Sequence, residues 1–211
     1  MKKIFLLLIS ILLLTVLKVK AGLPLQGKLI ILDIGHGSKD VGTSYQNIYE
    51  KDINLSIGKV LAKELIKSGA SVILTREGDY DLSSPNAKRR KKSDFDNRIK
   101  LINKSKGDLY ISLHTNYLED QKYQGPQAFY LNDENKNIAL KIQARLNTLG
   151  HPREVKKMPD VYMYKNLKIK GVLLEVGFIS NAEERSKLID SEYQKVLSKN
   201  ITLGIIDYFT K

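Results

Sequence analysis

The sequence contains no cysteine among its 211 residues. A chain without cysteine cannot form disulfide bonds, so its folded state must depend on its core. The absence also excludes a thiol nucleophile and thiolate metal ligands, which leaves His, Asp and Glu for any metal site. Histidine is scarce, since only His36, His114 and His151 occur, and the compact His-Glu-x-x-His motif of many metalloproteases is missing.

The first 21 residues have the layout of a secretory signal peptide. Two lysines follow Met1, residues 4–17 carry no charge, and Val19 and Ala21 place small residues where a signal peptidase reads. The uncharged run is shorter than the about 20 residues that span a bilayer as a helix. The sequence therefore predicts an exported protein with a signal peptide over 1–21 and a short linker over 22–27, and an uncleaved membrane anchor is the alternative.

The remaining chain is basic. Residues 1–21 contain four lysines and no acid, so the net charge falls from +12 to +8 when they are removed. This charge suits a polyanion such as a cell wall, an anionic membrane or a nucleic acid. Predicted export and the absence of a base-reading motif make a nucleic acid the least favoured of the three.

Short apolar segments alternate with segments of helical spacing. The predicted strands cover 28–33, 71–75, 109–113, 127–131 and 172–176, and the predicted helices cover 53–68, 94–104, 135–149, 182–189 and 192–209. This alternation predicts a single α/β domain with a twisted, mostly parallel sheet that helices cover on both faces.

Four polar residues are expected at the carboxyl edge of this sheet, where ligands bind in open α/β folds. His36 follows the first predicted strand, His114 ends the third, and Glu175 lies near the end of the fifth. Glu50 joins them if the loop after His36 folds back. Two imidazoles and one carboxylate suit a catalytic zinc with one open position. A second carboxylate, Glu175, would then accept a proton from the attacking water.

Each of these residues also has a structural interpretation. A histidine after a strand can hydrogen-bond within a loop, and a glutamate before a helix often interacts with the helix dipole. Glu175 is harder to explain in this way, because a charge within an apolar strand is costly to bury unless it is paired or functional. His151, before a proline at the end of a helix, is predicted to be a surface residue. The spacing alone leaves both interpretations open.

Four segments resemble the zinc-dependent N-acetylmuramoyl-L-alanine amidases of the Amidase_3 family. They are Leu32-Asp33-Ile34-Gly35-His36-Gly37, Tyr49-Glu50-Lys51-Asp52, Ser112-Leu113-His114-Thr115-Asn116, and Leu174 to Asn181. The resemblance implies a catalytic domain over 28–211, one Zn²⁺ held by His36, Glu50 and His114, and Glu175 as the catalytic glutamate. It also implies hydrolysis of the amide bond between muramic acid and L-alanine in peptidoglycan.

Finer features resemble the spore-cortex, germination-type branch of this family. They are the basic run Lys88–Lys92, the following Arg98, and a catalytic domain without added wall-binding repeats. The resemblance implies a role in muramic-δ-lactam formation together with a separate peptidoglycan deacetylase, in the forespore intermembrane or cortex space. An accessory lipoprotein, on which spore-type amidases of some clostridia depend, is a further partner that it implies.

Two residues depart from the family pattern. Ile34 and Ser38 stand where many members carry proline and glycine. Because proline would pre-set the backbone before His36, the sequence predicts a site that binds zinc only moderately tightly or needs a partner to order it.

Three other functions remain open at this point. They are a zinc carboxypeptidase that acts on the stem peptide, a non-catalytic wall-binding module, and a nucleic-acid binder suggested by charge alone. Intact His36, Glu50, His114 and Glu175 disfavour the second, and the predicted export disfavours the third.

Overall fold

The computed structural model describes residues 22–158 and 160–210, and the predicted signal peptide lies outside this part of the chain. The strands are β1 (Leu29–Ile34), β2 (Ser44–Tyr45), β3 (Ile48–Tyr49), β4 (Ser71–Leu74), β5 (Leu109–Asn116), β6 (Gln127–Tyr130), β7 (Lys156–Lys157) and β8 (Gly171–Phe178). The helices are α1 (Glu50–Lys67), α2 (Arg90–Ser105), α3 (Asp133–Leu146), α4 (Tyr162–Lys165), α5 (Ala182–Ile189) and α6 (Ser191–Thr210). Among the described residues, no helix is both long and apolar enough to span a membrane.

One six-stranded sheet organises the domain, in the order β4-β1-β5-β8-β6-β7. The four strands from β4 to β8 pair in parallel, whereas β6 pairs antiparallel with β8. A parallel connection needs a long crossover, usually through a helix. Residues 117–126, between β5 and β6, contain no helix, so β6 runs in the opposite direction. The predicted mostly parallel sheet is confirmed, and the direction of β6 was not predicted.

The alternation of side chains along the central strands divides the core into two parts. Ile30, Leu32 and Ile34 of β1 belong to the larger cluster, which packs against α1, α3 and α6. Ile31 belongs to the smaller cluster, which packs against α2 and α4. Helices therefore cover both faces, as predicted. Within residues 22–158 and 160–210, the helices that pack on the face with the smaller cluster are α2 and the four-residue α4, which leaves room for a cleft.

Several boundaries differ from those predicted. Helices α1 and α2 begin at Glu50 and Arg90, several residues before the predicted starts. The first residues of both helices are polar, so they show no apolar periodicity from which the sequence could predict them. The β2–β3 hairpin was not predicted, because each strand has only two residues. The segment predicted as a linker packs on the domain, where Leu25 is fully buried and its amide donates to the carbonyl of Ser68 at 2.9 Å.

Close packing of α6 on α3 gives a test of the fold. A Cβ atom on Gly204 of α6 would lie 2.5 Å from the Cα and 3.0 Å from the backbone nitrogen of Ile142 in α3, and neither atom can rotate away. Helix propensity alone would make Gly204→Ala stabilising by about 1 kcal/mol. We expect it instead to lower the free energy of unfolding by about 1–3 kcal/mol through overpacking, measured by urea denaturation.

The control is Lys199→Ala, an exposed position on the same helix. We expect this variant to stay close to the wild type. Unchanged or increased stability of Gly204→Ala would contradict the close approach of α3 and α6.

Candidate metal centre

Parallel pairing brings the predicted site residues to one edge of the sheet. His36 lies two residues beyond the end of β1, and His114 lies near the end of β5. The β5–β8 register places His114 directly beside Glu175. Glu50 is the first residue of α1, and its amide donates to the carbonyl of Thr43 at 2.9 Å, because the β2–β3 hairpin folds the chain back. The structure therefore brings all four residues to the same edge.

His36, Glu50 and His114 contact one another directly. Oε1 of Glu50 lies 3.1 Å from Nε2 of His36 and 2.9 Å from Nδ1 of His114. One ligand atom from each residue lies within 4.8 Å of the other two. Two imidazole nitrogens and one carboxylate oxygen are a donor set that zinc accepts. The residues present therefore fit a zinc ion.

The Glu50 carboxylate is buried and held on all sides. Its Oε1 accepts a hydrogen bond from the amide of Thr115 at 3.1 Å, and its Oε2 accepts from the amide of Thr43 at 2.8 Å. Burial raises the pKa of Glu50, but the hydrogen bonds and positive charge of the two histidines outweigh it and hold the pKa well below the usual range. The carboxylate is consequently ionised, as a metal ligand must be.

Two glycines make room for this arrangement. A Cβ atom on Gly35 would lie 2.5 Å from Cε1 of His114. A Cβ atom on Gly42 would lie 2.5 Å from Oε2 of Glu50, and Gly42 also has φ of +69°, which other residues rarely adopt. Larger side chains at either position would displace a residue of the candidate site.

Asp40 is a residue of the site that the sequence analysis missed. Its Oδ1 lies 3.0 Å from Nδ1 of His36, on the opposite side of the ring from Glu50, and its Oδ2 lies 3.3 Å from Nζ of Lys91. Burial lowers the pKa of His36, but the close contacts with the carboxylates of Asp40 and Glu50 outweigh it and raise the pKa to about 9. A carboxylate in this position orients a ligating imidazole. An acid four residues after a candidate ligand was the available signal.

Buried arginines hold the backbone around His36. Nη2 of Arg98 donates to the carbonyl of His36 at 2.8 Å and its Nη1 donates to that of Ile34 at 2.6 Å. Arg76 donates to the carbonyls of Ile34 and Gly35 at 3.2 and 3.0 Å. His36 itself has φ of +63°, an uncommon value for this residue type. These bonds restrain the loop without the proline that the family pattern has at position 34.

Ser38 and Ile34 are the two residues that depart from the family pattern, and the structure shows the backbone angle of the first and the hydrogen bond of the second. Ser38 has φ of +56°, which glycine adopts without strain. The amide of Ile34 donates to Oγ1 of Thr75 at 2.9 Å, a bond that proline cannot make. The moderate zinc affinity predicted from these departures stays a prediction.

Arg98 is itself neutralised by buried acids. Its Nη1 lies 2.8 Å from Oδ1 of Asp33, and its Nε lies 2.9 Å from Oδ2 of Asp94. Burial raises the pKa of Asp33, but the charge of Arg98 and a hydrogen bond from Ser112 outweigh it and hold the pKa below the usual range. Arg98 therefore supports the site indirectly, through its hydrogen bond to the backbone carbonyl of His36.

Glu175 faces a cleft beside the three clustered residues. The cleft has a volume of about 400 Å³. Oε2 of Glu175 is buried and has no hydrogen-bond partner within residues 22–158 and 160–210. Burial raises the pKa of Glu175 to about 7, although the charge of His114 opposes the change. Such a carboxylate can exchange a proton near neutral pH.

His151 and the residues of α4 are not part of the three-residue group of His36, Glu50 and His114. His151 is exposed and lies outside the three-residue group. Met163 and Tyr164 of α4 line the cleft, whereas Tyr162 is 47% exposed and donates to Asp96 at 2.9 Å. The α4 residues therefore divide between the cleft wall and the outer surface.

Comparison with known proteins gives one consistent family. The family model described as N-acetylmuramoyl-L-alanine amidase matches residues 30–207. A germination-specific N-acetylmuramoyl-L-alanine amidase of Bacillus subtilis (strain 168) is 41% identical over 196 residues, which cover 90% of this chain and 83% of that protein. The probable cell wall amidase LytH of Staphylococcus aureus is 31% identical, over 89% of this chain and 60% of LytH.

A solved structure agrees with these sequence matches. The CwlD amidase from Clostridioides difficile, in complex with the GerS lipoprotein, superposes with a TM-score of 0.83 and 37% identity, and the match covers 87% of this chain and 99% of that one. The chain belongs to the N-acetylmuramoyl-L-alanine amidase family.

Proposed function

We propose that this protein hydrolyses the amide bond between muramic acid and L-alanine in peptidoglycan, with His36, Glu50 and His114 as zinc ligands and Glu175 as the general base. The observation that carries the proposal is the buried, unpartnered Oε2 of Glu175 beside a group of two histidines and one carboxylate. An uncompensated carboxyl group next to a metal site is costly for folding and useful for proton transfer.

The proposed reaction assigns the proton transfers to Glu175. A zinc ion bound at the site would polarise the scissile carbonyl and lower the pKa of the attacking water. Glu175 accepts a proton from that water as the new C–O bond forms at the carbonyl carbon. It then delivers the proton to the leaving nitrogen as the C–N bond breaks. The products are the muramic acid carboxylate and a stem peptide with a free amino group on L-alanine.

The relatives support a role in the spore cortex. One is named germination-specific, and another was solved with a lipoprotein. We infer an exported enzyme that acts on cortex peptidoglycan, with a separate deacetylase completing muramic-δ-lactam formation. An accessory lipoprotein of the kind seen with the Clostridioides difficile protein is a proposed partner.

Digestion of peptidoglycan tests the reaction and the base together. We expect the zinc-loaded protein to release stem peptides with a free N-terminal alanine from purified cortex peptidoglycan, detected by mass spectrometry. Glu175→Gln keeps the size of the side chain but cannot accept the proton. We therefore expect its rate to fall by at least about 100-fold.

The wild type and Glu175→Gln must contain equal amounts of zinc for this comparison. Shortened stems still attached to the glycan would contradict the amidase and favour a carboxypeptidase. No cleavage by the zinc-loaded wild type in the presence of the lipoprotein partner would favour a non-catalytic wall-binding module. Full activity of Glu175→Gln would exclude Glu175 as the base.

The raised pKa of Glu175 predicts a pH-dependent stability difference. Because the folded-state pKa is about 7 and the ordinary value is 4.5, ionisation destabilises the folded wild type as the pH rises through this range. Glutamine carries no such charge. In protein treated with chelator, the stability of Glu175→Gln should match that of the wild type below pH 4.5 and exceed it above pH 7 by about 3 kcal/mol. A stability difference that is constant between pH 4 and 8, measured by urea denaturation, would exclude this account.

Asp40 is expected to strengthen zinc binding through His36. Asp40→Asn removes the negative charge that faces Nδ1 of His36 at 3.0 Å, so zinc affinity measured by chelator competition should fall by about 10–100-fold. Asp81→Asn is the control, because Asp81 bonds to Arg90 and Ser83 rather than to a histidine. Equal affinities of Asp40→Asn and the wild type would show that Asp40 does not act on the ligand.

A further inference from the structure

The cleft beside Glu175 is lined by apolar and charged side chains. The apolar ones include Phe95, Val161, Met163 and Leu173, and the charged ones include Asp40 and Lys91. A ligand in the cleft can therefore contact both carbon surface and an ammonium group. The ammonium group attracts a negatively charged group of such a ligand.

Lys91 is the cation of this cleft with spare donors. Arg98, which also lines the cleft, is fully buried and donates to Asp33, Asp94 and backbone carbonyls. The side chain of Lys91 is 60% exposed, and Asp40, at 3.3 Å, is its one ion-pair partner within the described ranges. An ammonium has three N–H donors. Lys91 can therefore bind a second acidic group that enters the cleft.

The neighbouring basic residues of α2 are engaged elsewhere. Arg90 pairs with Asp81 at 2.7 Å, and Lys92 pairs with Asp96 at 2.7 Å. Successive residues of a helix point in different directions, so the basic run from Lys88 to Lys92 does not act as a unit. Only Lys91 and Arg98 contribute permanent positive charge to the cleft lining in the described part of the chain.

We propose that Lys91 binds the α-carboxylate of the D-glutamate residue that follows L-alanine in the stem peptide. This inference rests on the proposed function. D-glutamate is linked through its side-chain carboxyl group, so its α-carboxylate is free, and it lies two residues from the scissile bond. Two extended residues span about 7 Å. Lys91 lines the same cleft as His36 and Glu175, and the carboxylate of Asp40 links Lys91 to His36 through contacts of 3.3 and 3.0 Å.

Substrates that differ only at this carboxylate test the proposal. We would compare glycan chains whose stems carry D-isoglutamate with chains that carry the amide, D-isoglutamine, both with lysine at the third position. The wild type with zinc should have a kcat/KM about tenfold higher for the carboxylate substrate. Lys91→Met should lose this discrimination through a higher KM for that substrate, and Lys91→Arg should retain it.

Lys92→Met is the matched control, since Lys92 is exposed on the same helix turn but pairs with Asp96. It should discriminate as the wild type does. Equal losses on both substrates in Lys91→Met would mean that Lys91 acts through Asp40, and would overturn the proposal. Equal cleavage of both substrates by the wild type would also overturn it while leaving the proposed function intact. Cleavage of neither would contradict the proposed function and this inference together.

Discussion

The shared carboxylate of Glu50 is the interaction on which the site depends. It joins the loop after β1, the start of α1 and the end of β5, because its Oε1 contacts both His36 and His114. A buried carboxylate without such partners would cost several kcal/mol, so these segments must meet around it for the domain to fold in this form. The backbone amides of Thr43 and Thr115 donate further hydrogen bonds to it. The geometry that suits a zinc ion is thus built into the fold.

Helices cover the two faces of the sheet unequally, and this leaves a cleft beside the site. Three helices and the larger core stabilise one face, and α2 with the short α4 covers the other. His36, His114 and Glu175 line the cleft at the carboxyl ends of β1, β5 and β8, where ligands of open α/β sheets bind, and Glu50 reaches the two histidines from the start of α1. Glu175 retains an uncompensated, buried oxygen there. The stability that this group costs must come from the rest of the core.

The sequence predicts the parts of this structure that local patterns encode. Apolar runs reveal the central strands and therefore the edge where His36, His114 and Glu175 collect. Asp40 is not found in this way, because its spacing of four residues from His36 does not reveal that its carboxylate faces Nδ1 of the ring. The support from Arg98 is equally invisible, since it acts on backbone carbonyls about sixty residues away. The antiparallel β6 escapes prediction because an apolar strand has the same pattern in either direction.

The ligand set is tested most directly by anomalous diffraction at the zinc absorption edge, on crystals of the zinc-loaded protein. The account predicts a single peak about 2.0–2.2 Å from one atom each of His36, Glu50 and His114. Glu175 should face the ion across the cleft without coordinating it. A peak elsewhere, or one in which Glu175 replaces Glu50 as the carboxylate ligand, would contradict the account, because the proposed base would then be unable to transfer a proton.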